Sequence, residues 1–158
     1  MSPSHLLRKC TALFLVSLFL THGIFPQPAI AAEKRIKIAF QGPLSGPEAE
    51  LGLQQLQAVE YMVTKFNQKN SGKIKVEIVQ VDDQGDPAIA VKLAPVIAAD
   101  SSIIGLVGPS YSGATSASLP FYKEGSLALI SPTATNPALT DPTNSRYGAP
   151  IFHRVANR

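Results

Sequence analysis

Two hydroxyl-rich loops carry most of the chemistry this chain can offer. The apolar run Ile103-Ile104-Gly105-Leu106-Val107-Gly108 leads into Pro109-Ser110-Tyr111-Ser112-Gly113, and Leu127-Ala128-Leu129-Ile130 leads into Ser131-Pro132-Thr133-Ala134-Thr135. Short apolar runs bounded by Gly and Pro read as buried parallel strands, and ligands of open α/β sheets collect at the carboxyl ends of such strands. Hydroxyls and backbone N–H groups gathered there suit a small charged ligand. Ser112 falls where the N-cap of a following helix belongs, and the free N–H groups and positive dipole end at such a place favour a carboxylate. Taken singly, Ser112 is equally well a cap, and Thr133 and Thr135 are equally well turn hydroxyls. Their convergence at one sheet edge is what points to a pocket.

Other chemistries fit less well. The segment from Gly108 to Gly113 approaches a nucleophile elbow around Ser110 but carries Ser112 where the closing glycine belongs. A serine hydrolase also needs a base and an orienting acid, and beyond residue 32 the sole histidine is His153, near the end of the sequence. Asp82, Asp83 and Asp86 lack the loop pattern of a calcium site and read as turn and solvent residues, with Asp86 as a helix cap. The loop Gly42-Pro43-Leu44-Ser45-Gly46 has neither the G-x-G-x-x-G spacing nor a Walker lysine, so it is no phosphate cradle, though its place at a strand end makes it part of a pocket rim. No enzymatic activity, cofactor or metal is expected.

The first thirty-two residues have the layout of a secretory signal: a basic start at Arg8-Lys9, an apolar stretch from Cys10 to Leu20, and a small-residue close at Ala29-Ile30-Ala31-Ala32. The stretch is shorter than the roughly 20 apolar residues that span a bilayer. Cleavage near Ala31 or Ala32 would deliver residues 33–158 to the periplasm or medium. Cys10 opens the apolar stretch instead of closing it, which argues against lipid attachment. Without Arg8 and Lys9 the formal charge falls from +3 to +1, and no Lys/Arg stripe with interleaved aromatics remains to bind nucleic acid. Without Cys10 no disulfide, thiolate or Cys/His zinc site is possible.

The elements that must position the loops follow from hydrophobic period. Ile36, Ile38 and Phe40 alternate with Lys37 and Ala39 as in a strand, and Leu56, Val59, Met62, Val63 and Phe66 recur at helical steps until Asn70-Ser71-Gly72. Ile74, Val76 and Ile78 begin a second strand. Asp86-Pro87 starts a second helix, to about Ala99, in which Pro95 predicts a kink or a shortening because it removes the bond to residue 91. A third strand (Ile103–Gly108), a helix from about Gly113 to Glu124 and a fourth strand (Leu127–Ile130) follow. Residues 136–150 read as an irregular connection, and Ile151–Val155 as a fifth strand. Strands alternating with helices predict an α/β fold, a doubly wound, mostly parallel sheet with helices on both faces.

Taken in order, Ile36-Lys37-Ile38-Ala39-Phe40 with Gly42-Pro43-Leu44-Ser45-Gly46, Asp82-Asp83 with Asp86-Pro87, Ile104 to Pro109, Ser131 to Thr135 with Pro137 and Leu139-Thr140, and Phe152-His153-Arg154 resemble the type I periplasmic binding proteins of branched-chain amino-acid transporters. The resemblance spans about residues 34–157. It implies a two-lobed receptor that closes on leucine, isoleucine, valine or a similar amino acid and presents it to the membrane permease subunits of an ABC transporter. The alternative it leaves open is an extracytoplasmic sensing domain of a signalling receptor with the same fold. It further implies that Ser112 and Thr135, with nearby N–H groups including that of Thr135, hold the ligand's α-carboxylate. The Thr133 carbonyl and Thr135 hydroxyl would approach the α-ammonium, and Tyr111 and Ala134 would supply backbone and packing surface. In such proteins the chain crosses to the second lobe just past the Phe-x-Arg segment, where this sequence stops. Residues 33–158 are therefore expected to carry the first lobe only.

Overall fold

A computed structural model describes residues 33–144 and 150–156; the leader expected over residues 1–32 lies outside the described residues. Five strands, β1 (Lys34–Gly42), β2 (Ile74–Asp82), β3 (Ile103–Val107), β4 (Leu129–Ser131) and β5 (Phe152–Arg154), form one sheet in the order β2-β1-β3-β4-β5. Every pairing is parallel. Three helices connect them: α1 (Ala49–Lys69), α2 (Pro87–Ala99) and α3 (Ser112–Glu124). Strand order reverses direction between β1 and β3, so the carboxyl ends there open a crevice where ligands of such sheets bind.

Period-2 alternation on β1 decides which helix each residue meets. Ala39 joins the core cluster with Ala94 and Ile97 of α2 and Leu119 and Tyr122 of α3, while Ile36 and Ile38 line the opposite face beneath Val59, Met62 and Phe66 of α1. The sheet is thus wound on both faces, as the alternation of elements requires. A register shift between Lys37 and Ile38 of β1, opposite Ile103 and Gly105, breaks strict alternation on β3. Ile103 and Leu106 both reach the core as a result.

Asp86 caps α2 as its type predicts, its Oδ1 accepting from Ala88 N at 2.7 Å with Pro87 in the first turn. The expected shortening at Pro95 does not occur. The helix continues to Ala99 because Ala94 and Ile97 are buried against the sheet and α3, and that packing holds the turns that the missing backbone bond weakens. The connection read as irregular contains one ordered piece, a 3₁₀ turn over Pro137–Thr140 whose cap, Asn136 Oδ1, accepts from Ala138 N at 3.0 Å. Its Leu139 is fully buried. Residues 145–149 lie outside the described residues.

The two faces are covered unequally. Between α1 and the sheet lies an apolar cavity of about 590 Å³, rimmed by Met62 and Phe66, which are 64% and 42% exposed. On the same side a shallow groove along Ile38, Gly105, Val107, Ala128 and Ile130 ends at His153. Stability must therefore come mainly from the other face. Leu119→Ala, at a fully buried site, is expected to lower the unfolding free energy by about 2–5 kcal/mol, and Met62→Ala by no more than about 0.5 kcal/mol. Urea unfolding of the two variants measures the difference.

Candidate functional site

Strands β3 and β4 are adjacent and parallel, with Leu106 opposite Leu129 and Val107 opposite Ile130, so the loops that follow them are forced side by side. Gly108 N extends the pairing by donating to Ile130 O at 2.8 Å. Only glycine fits at 108. A Cβ there would sit 2.0 Å from the Gln41 carbonyl oxygen, and the backbone has a φ of 117°. The close approach brings the β3 loop against the end of β1.

Hydroxyls then join the loops. Ser131 Oγ donates to Pro109 O at 2.6 Å and accepts from Ala134 N at 3.0 Å. Thr133 Oγ1 donates to Ser110 O at 2.7 Å. At the outer edge, Ser112 Oγ accepts from both Thr135 N and Asn136 N, each at 3.1 Å. Arg154 of β5 steadies this edge, with Nη1 donating to Thr135 O at 2.7 Å and Nε to Thr140 Oγ1 at 3.0 Å.

The sequence-predicted residues converge here in altered roles. The N-cap of α3 is Tyr111, in extended conformation, and Ser112 is the first helical residue. Ser112 is therefore no cap, because its hydroxyl is turned across to the neighbouring loop. The Thr135 N–H, expected to face a ligand, is taken by that hydroxyl; the Thr135 side chain is exposed. Tyr111 turns its phenol away to donate to Glu48 Oε2 at 2.7 Å, and its carbonyl accepts from Thr115 N at 2.9 Å. Ala134 is fully buried in the core cluster, so its methyl supports the loop from beneath. The Thr133 hydroxyl is committed to Ser110, which leaves its carbonyl as the group of interest.

Two contributors were missed. Gln55 of α1 bridges both loops, its Oε1 accepting from Ser110 Oγ at 2.7 Å and its Nε2 donating to Thr133 Oγ1 at 3.2 Å. The available signal was its place directly before Leu56, on the inner border of the apolar stripe. Ser131 is the other, a fully buried hydroxyl at the end of β4. Asp83, read as a solvent residue, is also fully buried. It packs beneath the end of β1, where Gln41 Nε2 donates to its Oδ2 at 3.1 Å.

The rim loop after β1 is held by Asp82. Its Oδ1 accepts from Leu44 N at 2.8 Å and Gln84 N at 3.0 Å, and its Oδ2 from Ser45 Oγ at 2.6 Å. Partial burial pushes this carboxyl up, but the Ser45 hydroxyl and the backbone donors together outweigh it and hold the carboxyl below its ordinary value. Among the described residues no three His, Cys, Asp or Glu side chains cluster as metal ligands, and no helix is long and apolar enough to cross a membrane.

A family model described as "Periplasmic binding protein" matches residues 35–153, which include both loops and Arg154's neighbour His153. The chain belongs to the periplasmic binding protein family. Among its relatives, the Leu/Ile/Val-binding protein of Escherichia coli K12 is 35% identical over 112 residues, covering 70% of this chain and 30% of the relative. The leucine-specific-binding protein of Salmonella typhimurium is 35% identical over 106 residues, covering 66% of this chain and 28% of the relative. The solved structure of the branched-chain amino acid transporter substrate binding protein LivJ of Streptococcus pneumoniae, in complex with isoleucine, superposes with a TM-score of 0.69 at 28% identity, over 79% of this chain and 34% of that one. The chain thus spans about 30% of the length of the curated relatives it matches. The fold is that of a type I periplasmic binding protein; the curated relatives are named as binding proteins for leucine, isoleucine and valine, and LivJ as a transporter's substrate binding protein.

Replacing Ser112 by Ala removes the shared acceptor of the two loop amides. Amide hydrogen exchange at Thr135 and Asn136 is expected to quicken roughly five- to tenfold, the equivalent of about 1 kcal/mol per lost hydrogen bond, with little change at core amides.

Proposed function

We propose that this chain is the ligand-gripping first lobe, over residues 33–158, of an exported substrate-binding protein that serves an ABC transporter of branched-chain or related amino acids. The observation that carries the reading is the state of the Ser112 hydroxyl. A hydroxyl has two acceptor sites and one proton. Both acceptor sites of Ser112 face backbone N–H groups, of Thr135 and Asn136, so its proton is left for an outside acceptor. Two donors on the oxygen also polarise the O–H bond and strengthen what it donates. An α-carboxylate is the acceptor that fits best, supported by the first-turn N–H groups of α3 and its dipole.

In this reading Ser112 donates to the carboxylate, and the Thr133 carbonyl and Thr135 hydroxyl receive the ammonium. Tyr111, Ala134 and Gln55 keep the loops in place. Family membership and the names of the relatives support an amino acid as ligand. The lobe does no bond-making chemistry and needs no cofactor. It works by closing with a second lobe and delivering the ligand to permease subunits after a leader ending near Ala31 or Ala32 has been removed.

The test is a titration of the chain with leucine and with leucinamide, which keeps the ammonium and side chain but lacks the carboxylate. Leucine is expected to bind at least about tenfold more tightly, and Ser112→Ala to reduce that preference by about the 1.5–3 kcal/mol of one charge-assisted bond. Binding should be weak, because an open half-site competes with water for every hydrogen bond. Equal binding of leucine and leucinamide would overturn the reading.

A further inference from the structure

Beneath the ligand loops, three fully buried polar side chains from three separate elements meet in the core: Gln41 at the end of β1, Asp83 just after β2, and Tyr122 in α3. Gln41 Nε2 donates to Asp83 Oδ2 at 3.1 Å, and the Tyr122 hydroxyl donates to Gln41 Oε1. The other carboxylate oxygen, Asp83 Oδ1, accepts from Gly85 N at 2.9 Å. One branch leads to the candidate site through Gly85, and the other reaches the last turn of the helix that starts there. Tyr122 sits on the helix whose first residue is Ser112. Gly85 has a φ of 72°, and a Cβ there would lie 3.1 Å from the Tyr111 ring, so that ring rests directly on it.

The chain of bonds has a direction, and Asp83 sets it. A carboxylate only accepts, so Gln41 must present its N–H₂ group to Asp83 and its oxygen to Tyr122, which must then donate. A neutral acid at 83 would bring a donor into a site already holding two, the Gly85 N–H and the Gln41 amide. Gln41 would have to turn its amide over, and the Tyr122 O–H would lose its acceptor. One turn before Tyr122, at the i−4 position, the fully buried Ser118 hydroxyl lies within reach of the Tyr122 hydroxyl. It is the acceptor that a reversed chain would use.

We propose that Asp83 is a positioning residue for the ligand loop, holding Tyr111 through Gly85 and anchoring α3 through Gln41 and Tyr122. The inference rests on the reading of Ser112 as the ligand's contact. Around Asp83, the titratable groups are its neighbour Asp82, Asp86, whose N–H donates to Asp83 O, Tyr122 from α3, and Glu48, which lies over Gly85 and holds the Tyr111 hydroxyl. Burial, joined by the charge of Asp82, holds the Asp83 carboxyl above its ordinary range against the opposing bonds from Gly85 N and Gln41, so its titration begins at a higher pH than that of an ordinary aspartate.

The test needs no ligand, so it stands or fails apart from the leucine titration. Amide ¹H–¹⁵N spectra of the full chain are followed downward from pH 7 as long as the fold persists. Gly85, Tyr111 and Ser112 are expected to shift together with one midpoint above the normal aspartate range of about 3.9. Asp83→Asn abolishes that common step. Gln41→Leu, which cuts one branch and leaves the carboxylate in place, is expected to keep the Gly85 and Tyr111 shifts and remove the Ser112 shift. If Gly85 titrates in the unaltered chain while Tyr111 and Ser112 stay flat, Asp83 is a local turn residue and the proposal is wrong.

Discussion

The site depends on one hydroxyl shared between two loops. Parallel pairing of β3 and β4 brings the loops side by side, but that pairing ends at Ile130, and beyond it something must satisfy the exposed amides of Thr135 and Asn136. Ser112 Oγ does so for both. The same bonds fix where its remaining proton points. In the function proposed above, loop closure and ligand recognition become one arrangement, and the rest of the structure keeps Ser112 in place: Gly108 lets the loop approach β1, Gln55 ties it to Thr133, and Arg154 holds the far loop of the pair.

Much of the fold was legible because hydrophobic period and caps are local signals. Leu56 to Phe66 repeat at helical steps, and α1 forms there; Asp86-Pro87 starts a helix, and α2 begins at Pro87. Pro95 misled because local propensity ignores burial, and the packing of Ala94 and Ile97 holds α2 together through the proline. The short fourth strand was placed too early, at Leu127 instead of Leu129, because Leu127 is buried for a reason other than pairing. It closes the end of α3, where its N–H donates to Tyr122 O at 2.9 Å.

For the site, sequence could bring the residues together but could not assign their hydrogen bonds. Ser112, Thr133 and Thr135 do converge, as strand order requires. Whether Ser112 caps its own helix or reaches the opposite loop depends on the backbone of Tyr111, which no residue type dictates. Gln55 lies 55 residues from Ser110 and 78 from Thr133 in sequence, so only the assembled sheet reveals it. Asp83 looked like a turn residue because an Asp-Asp-Gln-Gly stretch reads as a turn. Its burial follows from Gln41, whose inward direction is set by the alternation of β1.

A crystal structure of the chain with L-leucine tests the account most directly. It should show a carboxylate oxygen within hydrogen-bond distance of Ser112 Oγ, with the Thr135 and Asn136 N–H groups still donating to that same oxygen atom of the serine. A leucine whose carboxylate lies elsewhere, or a Ser112 hydroxyl that releases both amides to reach the ligand, would contradict it.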